Sequence, residues 1–249
     1  MIKIKDLPTG PKEGTDRKKV EEKTKKLAKI IGDLQHIIYA QKKYSVLLVA
    51  QGIDASGKDG TSREVFKYCT HAGVKVQAFI KPTKKEMNHD FLWRVHKHAP
   101  EKGFIQVFNR SHYEDILVQR VEKWIDEDKV HKRMASINAF ENLLQYDNDT
   151  LIIKLFLNIS HKRQGRKLQE RIDDPTKNWK HEDGDWEVRK KWDEYMDAYE
   201  YMLNESEIPW HIIPADRRWY RNYVATKVVA KAMLKLDLKL PYIVNEDDL

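Results

Sequence analysis

The chain has 249 residues, enough to bury one sizeable core and too few for two generous ones. Its 46 Lys and Arg outnumber 39 Asp and Glu, and the formal net charge of +7 would attract a polyanion: nucleic acid, a nucleotide or a phosphate polymer. A single cysteine, Cys69, excludes an internal disulfide; the opening residues lack a signal-type apolar stretch and no run is long enough to span a bilayer, so a cytoplasmic protein without a membrane partner is expected.

In chain order, residues 1–17 read as a mobile basic arm around Thr9-Gly-Pro-Lys-Glu-Gly14. Val20, Leu27, Ile31, Leu34 and Ile38 then recur at helical spacing and predict an amphipathic helix over 18–42. Tyr44–Ala50 is a short apolar run of the kind found in a strand buried on both faces. Further strands are predicted at Val74–Ile80, Phe104–Phe108, Leu151–Leu157 and Trp210–Pro214. Helical patterns separate them: Lys58 to about His71, Asp90–His98, Glu114–Asp126, His131–Tyr146, Ser160–Arg171, Glu187–Leu203 and Asp216 to about Lys235. Strands alternating with helices predict one α/β domain over 1–249, a parallel sheet of about five strands flanked by helices on both faces.

The strongest chemical signal is Gly52-Ile-Asp-Ala-Ser-Gly57-Lys58, which fits G-x-x-x-x-G-K between a buried strand and a helix. Glycines there let backbone amides approach a phosphate, and the helix N-terminus adds positive potential. Lys58 brings a full charge to a transferring phosphoryl group. The phosphate- and nucleotide-binding set therefore begins with Gly52, Ala55, Ser56, Gly57, Asp59, Gly60 and Thr61. Asp59 stands where the usual motif has a Mg²⁺-binding hydroxyl. Thr61 and Ser62 are substitutes, and Asp54, a carboxylate among phosphate-binding amides, is the preferred metal ligand; its other reading is a brace for the loop.

The third strand runs into Asn109-Arg110-Ser-His-Tyr-Glu114, and ligands of open α/β sheets bind beyond the carboxyl ends of strands. Arg110 suits a two-pronged grip on phosphate oxygens, and Glu114 could orient nucleotide or metal-bound water. Lys81 after the second strand is expected at the same cleft, while His89, His96 and His98 lack metal-site spacing and read as polar or core residues. Ser160–Arg171 is densely basic and predicts a helical lid over about 160–182, with Arg166 and Arg171 closing on the transferring group. Gly165 inside that helix is expected to loosen it, and Trp179, Trp186 and Trp192 to pack helices.

Five motifs in order resemble the polyphosphate kinase 2 family: Gly52–Gly60, His89–His98, Phe108–Asp115, Arg171–Lys180 and Ile213–Tyr220. The resemblance implies a three-layer P-loop kinase-like fold with a lid, Mg²⁺ dependence (with Mn²⁺ as substitute), and reversible phosphate transfer between inorganic polyphosphate and a nucleotide. Asp54, Lys58 and Arg110 match the family's loop aspartate, loop lysine and second-motif arginine; Arg166 and Arg171 fall in its lid. Members with aspartate in place of Asn109 favour diphosphate acceptors, so Asn109 with Glu114 resembles the subgroup taking AMP and ADP to ADP and ATP; guanine nucleotides are further candidates. A homo-oligomer, dimer or tetramer, is expected. An ATP-using nucleoside-monophosphate kinase would share loop, sheet and lid. A nucleic-acid-binding module is less favoured, since no recognition motif is visible.

Overall fold

The computed structural model describes residues 1–241. Five strands, β1 (Ser45–Gln51), β2 (Val74–Ala78), β3 (Ile105–Asn109), β4 (Thr150–Asn158) and β5 (Trp210–Pro214), form a sheet in the order β2-β3-β1-β4-β5, with every neighbouring pair parallel. The helices are α1 (Arg17–Gln41), α2 (Lys58–Val65), α3 (Lys84–Met87), α4 (Trp93–His96), α5 (Glu114–Val121), α6 (Glu127–Asn148), α7 (His161–Asp173), α8 (Gly184–Lys190), α9 (Trp192–Glu205) and α10 (Arg218–Met233). α1, α2 and α10 pack together on one side of the sheet, and α5, α6 and α9 on the other.

Strand β1 lies at the centre, and Val46 to Ala50 expose no surface. Each such Val or Leu side chain contributes roughly 1.5–3 kcal/mol on burial. Both faces of β1 need that contribution, which is why the run is continuously apolar rather than alternating. Local signals set the helix ends. Asp16, Asp126 and Ser160 cap α1, α6 and α7 by accepting from the backbone N–H three residues on, and left-handed Lys42 and Asp149 terminate α1 and α6.

Five expectations need correction. The arm at 1–17 is docked over its first half: the Ile2 N–H donates to Asn204 Oδ1 (2.6 Å), the Ile4 N–H to Glu200 Oε1 (2.8 Å), and the Asp216 N–H to the Thr9 carbonyl (2.8 Å). Ile4 inserts into the core, which the Pro/Gly composition of the segment concealed. The α2 helix stops at Val65, because the Tyr68 carbonyl approaches Gly32 of α1 so closely that a Cβ there would lie 2.7 Å from it, while Gln35 Oε1 captures the Thr70 N–H. Helices predicted through His98 and Asp126 are one turn at Trp93–His96 and two turns ending at Val121, where Lys123 turns left-handed (φ 57°). The Glu187–Leu203 helix is two, broken at Lys191.

Candidate active site

The segment after β1 coils through three positive-φ residues, Gly52 (151°), Ala55 (63°) and Gly57 (99°), before α2 begins at Lys58. Two of the glycines are required by their neighbours as well as by their backbone. A Cβ at Gly52 would lie 2.8 Å from the Leu157 carbonyl, and one at Gly57 would collide with the Arg221 guanidinium. Lys58 is buried and folds over the loop, Nζ donating to the Gly52 carbonyl at 2.6 Å. Burial lowers its pKa, and the Asp54 carboxylate restores only part of the loss. The Thr61 and Ser62 hydroxyls turn back to carbonyls of their own helix, at 3.0 and 3.2 Å, so neither points into the loop as the expected metal-binding hydroxyl would.

Asp54 projects from the loop towards the β3–α5 turn and pairs with Arg110, itself left-handed (φ 60°). Burial opposes charge on Asp54, yet the Lys58, Arg110 and Arg171 cations together hold its carboxyl below the ordinary value. Asn109 donates to the Asp59 carboxylate, which ties the end of β3 to the first turn of α2. Glu114 accepts from Gln51 at the end of β1; burial raises its pKa against the pull of Arg110 and Lys58. Ser56 is buried with its hydroxyl unpartnered, and Gly60 sits under the Arg221 guanidinium.

The basic helix α7 divides its cations. Arg171 comes to the site and pairs with Asp185 of α8. Arg166 is exposed, and Lys81 stands with Nζ 5.5 Å from the Trp124 ring; neither makes a hydrogen bond or ion pair among the described residues. Lys167 reaches the loop, Nζ donating to the Ala55 carbonyl at 3.0 Å, and burial with repulsion from Arg221 and Arg163 pushes its pKa down to about 8. Gly165 does not loosen α7: Arg189 packs across it, donating to the His161 carbonyl at 2.7 Å, and a Cβ would lie 2.9 Å from that guanidinium. Trp179 is 78% exposed rather than packed between helices. His89, His96 and His98 each lie against an aromatic ring.

Three residues at the site escaped the sequence reading. Arg221 of α10 is buried behind the loop, donating to the Ser56 carbonyl and to Asn222 Oδ1 (3.3 and 2.9 Å) with no carboxylate partner among the described residues, and burial plus nearby Arg218 lower it to about 10. Lys167 is the second. Asp185 is the third: burial, reinforced by the Asp54 carboxylate, pushes it up to about 6 despite its pairing with Arg171. The one available signal for the pair of cations was their place on helices that follow strands β4 and β5, whose carboxyl ends face the loop.

The model of the family described as polyphosphate kinase 2 matches residues 14–240. The chain belongs to the polyphosphate kinase 2 family. It is 44% identical over 211 residues to the AMP/ADP-polyphosphate phosphotransferase of Meiothermus ruber, covering 84% of this chain and 79% of that one. It is 39% identical over 226 residues to the ADP-polyphosphate phosphotransferase of Rhodopseudomonas palustris, covering 85% and 78%. The crystal structure of polyphosphate kinase 2 from Arthrobacter aurescens superposes with a TM-score of 0.87 at 33% identity, covering 98% of this chain and 94% of that one. Family membership goes with a divalent metal, and the residues present fit one. Asp54 and Asp185 are hard oxygen donors whose mutual repulsion a cation would relieve. Among the described residues no three His, Cys, Asp or Glu converge as a protein-only metal cage.

Proposed function

We propose that this chain transfers the terminal phosphoryl group of inorganic polyphosphate, reversibly, to AMP and ADP. The observation that carries the reading is the charge around the loop: Lys58 and Arg110 face it, Arg221 is buried and Lys167 half-buried beside it, and neither of these two forms an ion pair among the described residues. Cations held out of water without an ion-pair partner suit an anion. A cavity of about 710 Å³ between α1, the end of α2 and the start of α10 carries a further cation excess, bounded by Arg17, Lys25, Lys67, Arg163, Arg217 and Arg218 against three carboxylates. A long phosphate chain is suited to such a surface.

In the transfer, an anionic oxygen of the acceptor's terminal phosphate attacks the last phosphorus of the donor chain. The bridging P–O bond breaks and the shortened chain leaves as an anion, so no general base is required. Lys58 and Arg110 neutralise charge on the transferring group, while the lid formed by α7 and the segment to about 182 brings Arg171 over it and excludes water. Arg166 lies on the outer side of that lid, placed to meet donor phosphates beyond the transferring one, and Lys81 borders the acceptor side. Asp54 would hold Mg²⁺, with Mn²⁺ as substitute, which supplies further neutralisation of the phosphate oxygens. Asn109, bonded to Asp59, leaves the acceptor end without an added carboxylate and supports use of both AMP and ADP.

The test is incubation of the protein with Mg²⁺, long-chain polyphosphate and either AMP or ADP, followed by chromatography of the nucleotides. ADP from AMP and ATP from ADP are expected. Product from ADP alone would remove the dual-acceptor reading, and no polyphosphate-dependent product from a folded sample would overturn the donor.

A further inference from the structure

Behind the β3–α5 turn lies a polar cluster with no part in the phosphate site. Lys154 of β4, Glu141 of α6, and the consecutive residues His112 and Tyr113 are all fully buried. Lys154 Nζ donates to Glu141 Oε2 and to Tyr113 Oη, each at 2.7 Å. The Tyr113 hydroxyl donates to Glu141 Oε1 at 2.9 Å, and His112 Nε2 lies 3.2 Å from the same oxygen. Ser206 stands 3.3 Å from the Tyr113 hydroxyl and accepts from Trp210 Nε1. Burial works against charge on Glu141, but its bonds to His112 and Lys154 hold the carboxyl below its ordinary value.

An ion pair at such depth is a weak source of stability, since apolar side chains of similar volume often do as well or better. What the cluster does hold is orientation. His112 and Tyr113 are the last two of the three residues between left-handed Arg110 and Glu114, and their side chains point away from the loop while those two reach towards Asp54 and Gln51. Ser111 adds a bond to Gln51 on the near side. The turn is thereby pinned from both faces, and its left-handed residue has no glycine to relax it.

We infer that Glu141, Lys154 and the Tyr113 hydroxyl are positioning residues for the transfer: through the rear face of the turn they fix where Arg110 and Glu114 meet the reacting phosphates. The inference rests on the proposed function for what those two side chains meet. A displacement of about 1 Å at a reacting centre is enough for a loss near a hundredfold.

The experiment replaces the pair with apolar residues of similar length, Glu141→Met with Lys154→Met, and separately removes one hydroxyl, Tyr113→Phe. Wild-type protein is assayed first: if it moves no phosphate from polyphosphate to nucleotide, the proposed function fails. With active wild type, the double variant is expected to melt within a few degrees of it, to lose roughly 10- to 100-fold in kcat, and to keep KM for ADP and polyphosphate within about threefold. Wild-type kcat in a folded double variant overturns the inference. Should that variant not fold, Tyr113→Phe decides: a fall of about threefold or more that shrinks in an Arg110→Ala background is expected, because the hydroxyl acts through Arg110 as well as Glu114. The same fall in both backgrounds, or none in either, overturns it.

Discussion

Arg221→Met separates an anion-binding role from a structural one. In the folded protein burial and Arg218 lower this guanidinium from 12.5 to about 10. At about 1.4 kcal/mol for each tenfold change in proton affinity, holding the cation there costs on the order of 3 kcal/mol at neutral pH. The sign follows from the charge: the folded pKa is depressed for a base, so the cost is full while both states are protonated and falls away only as pH rises from about 10 towards 12.5. Methionine keeps much of the buried stem but gives up the guanidinium's bonds to Ser56 and Asn222, a loss of about 1.5–3 kcal/mol. The net gain, at most about 2 kcal/mol, would raise the melting temperature by up to roughly 4–8 °C in a chain of this size. Calorimetry without ligand should show that rise, while the upward shift produced by added polyphosphate shrinks and kcat/KM falls about a hundredfold or more. A variant that melts lower and retains wild-type turnover would refute the reasoning and make Arg221 a packing residue.

Lys58→Ala should leave circular dichroism unchanged and lower kcat by about a thousandfold or more in the chromatographic assay, since it removes the ammonium that folds over the loop onto the Gly52 carbonyl. Asp185→Asn should match wild type in ligand-free melting below about pH 4 and become the more stable of the two as pH rises through about 6, because a carboxyl raised from 3.8 to about 6 loses its stability contribution across that window; parallel melting curves would contradict the assigned environment. Asn109→Asp would set a second carboxylate against Asp59, and turnover of AMP should fall further than that of ADP. Gly165→Ala should lower the melting temperature and weaken lid closure through its contact with Arg189; an unchanged melt would show that Arg189 moves aside freely.

The strands and the phosphate loop were legible because their signals are local. β1, the Gly52–Lys58 spacing and the cap at Ser160 each lie within a few residues of the chain. What stayed hidden depends on residues far apart in sequence. α2 ends early because Gln35 and Gly32, more than thirty residues back, claim the chain at Tyr68 and Thr70. Arg221 stands 165 residues from Ser56, and a lone arginine on a helix carries no mark of being buried. Lys167 and Arg166 look alike in a basic run; the rotation of about 100° between consecutive helical residues sends the first to the loop and the second to solvent. Composition misled at the opening arm, where Pro and Gly read as mobility although Ile4 fills part of the core.

The strand order has a consequence for synthesis. β1 leaves the ribosome early, but its two neighbours are β3 and β4, and the second is complete only at Asn158. At about 5–20 residues per second, the central strand waits for roughly 5–20 s with at least one unpaired edge. The phosphate loop waits with it, because Gly52 takes its shape against Leu157. The docking of Thr9 on Asp216 comes later still, after roughly 10–40 s of elongation. Through that interval the growing chain carries an apolar parallel-strand edge and an excess of positive charge, a nascent form suited to chaperone capture and incapable of phosphate chemistry until its last strand is laid down.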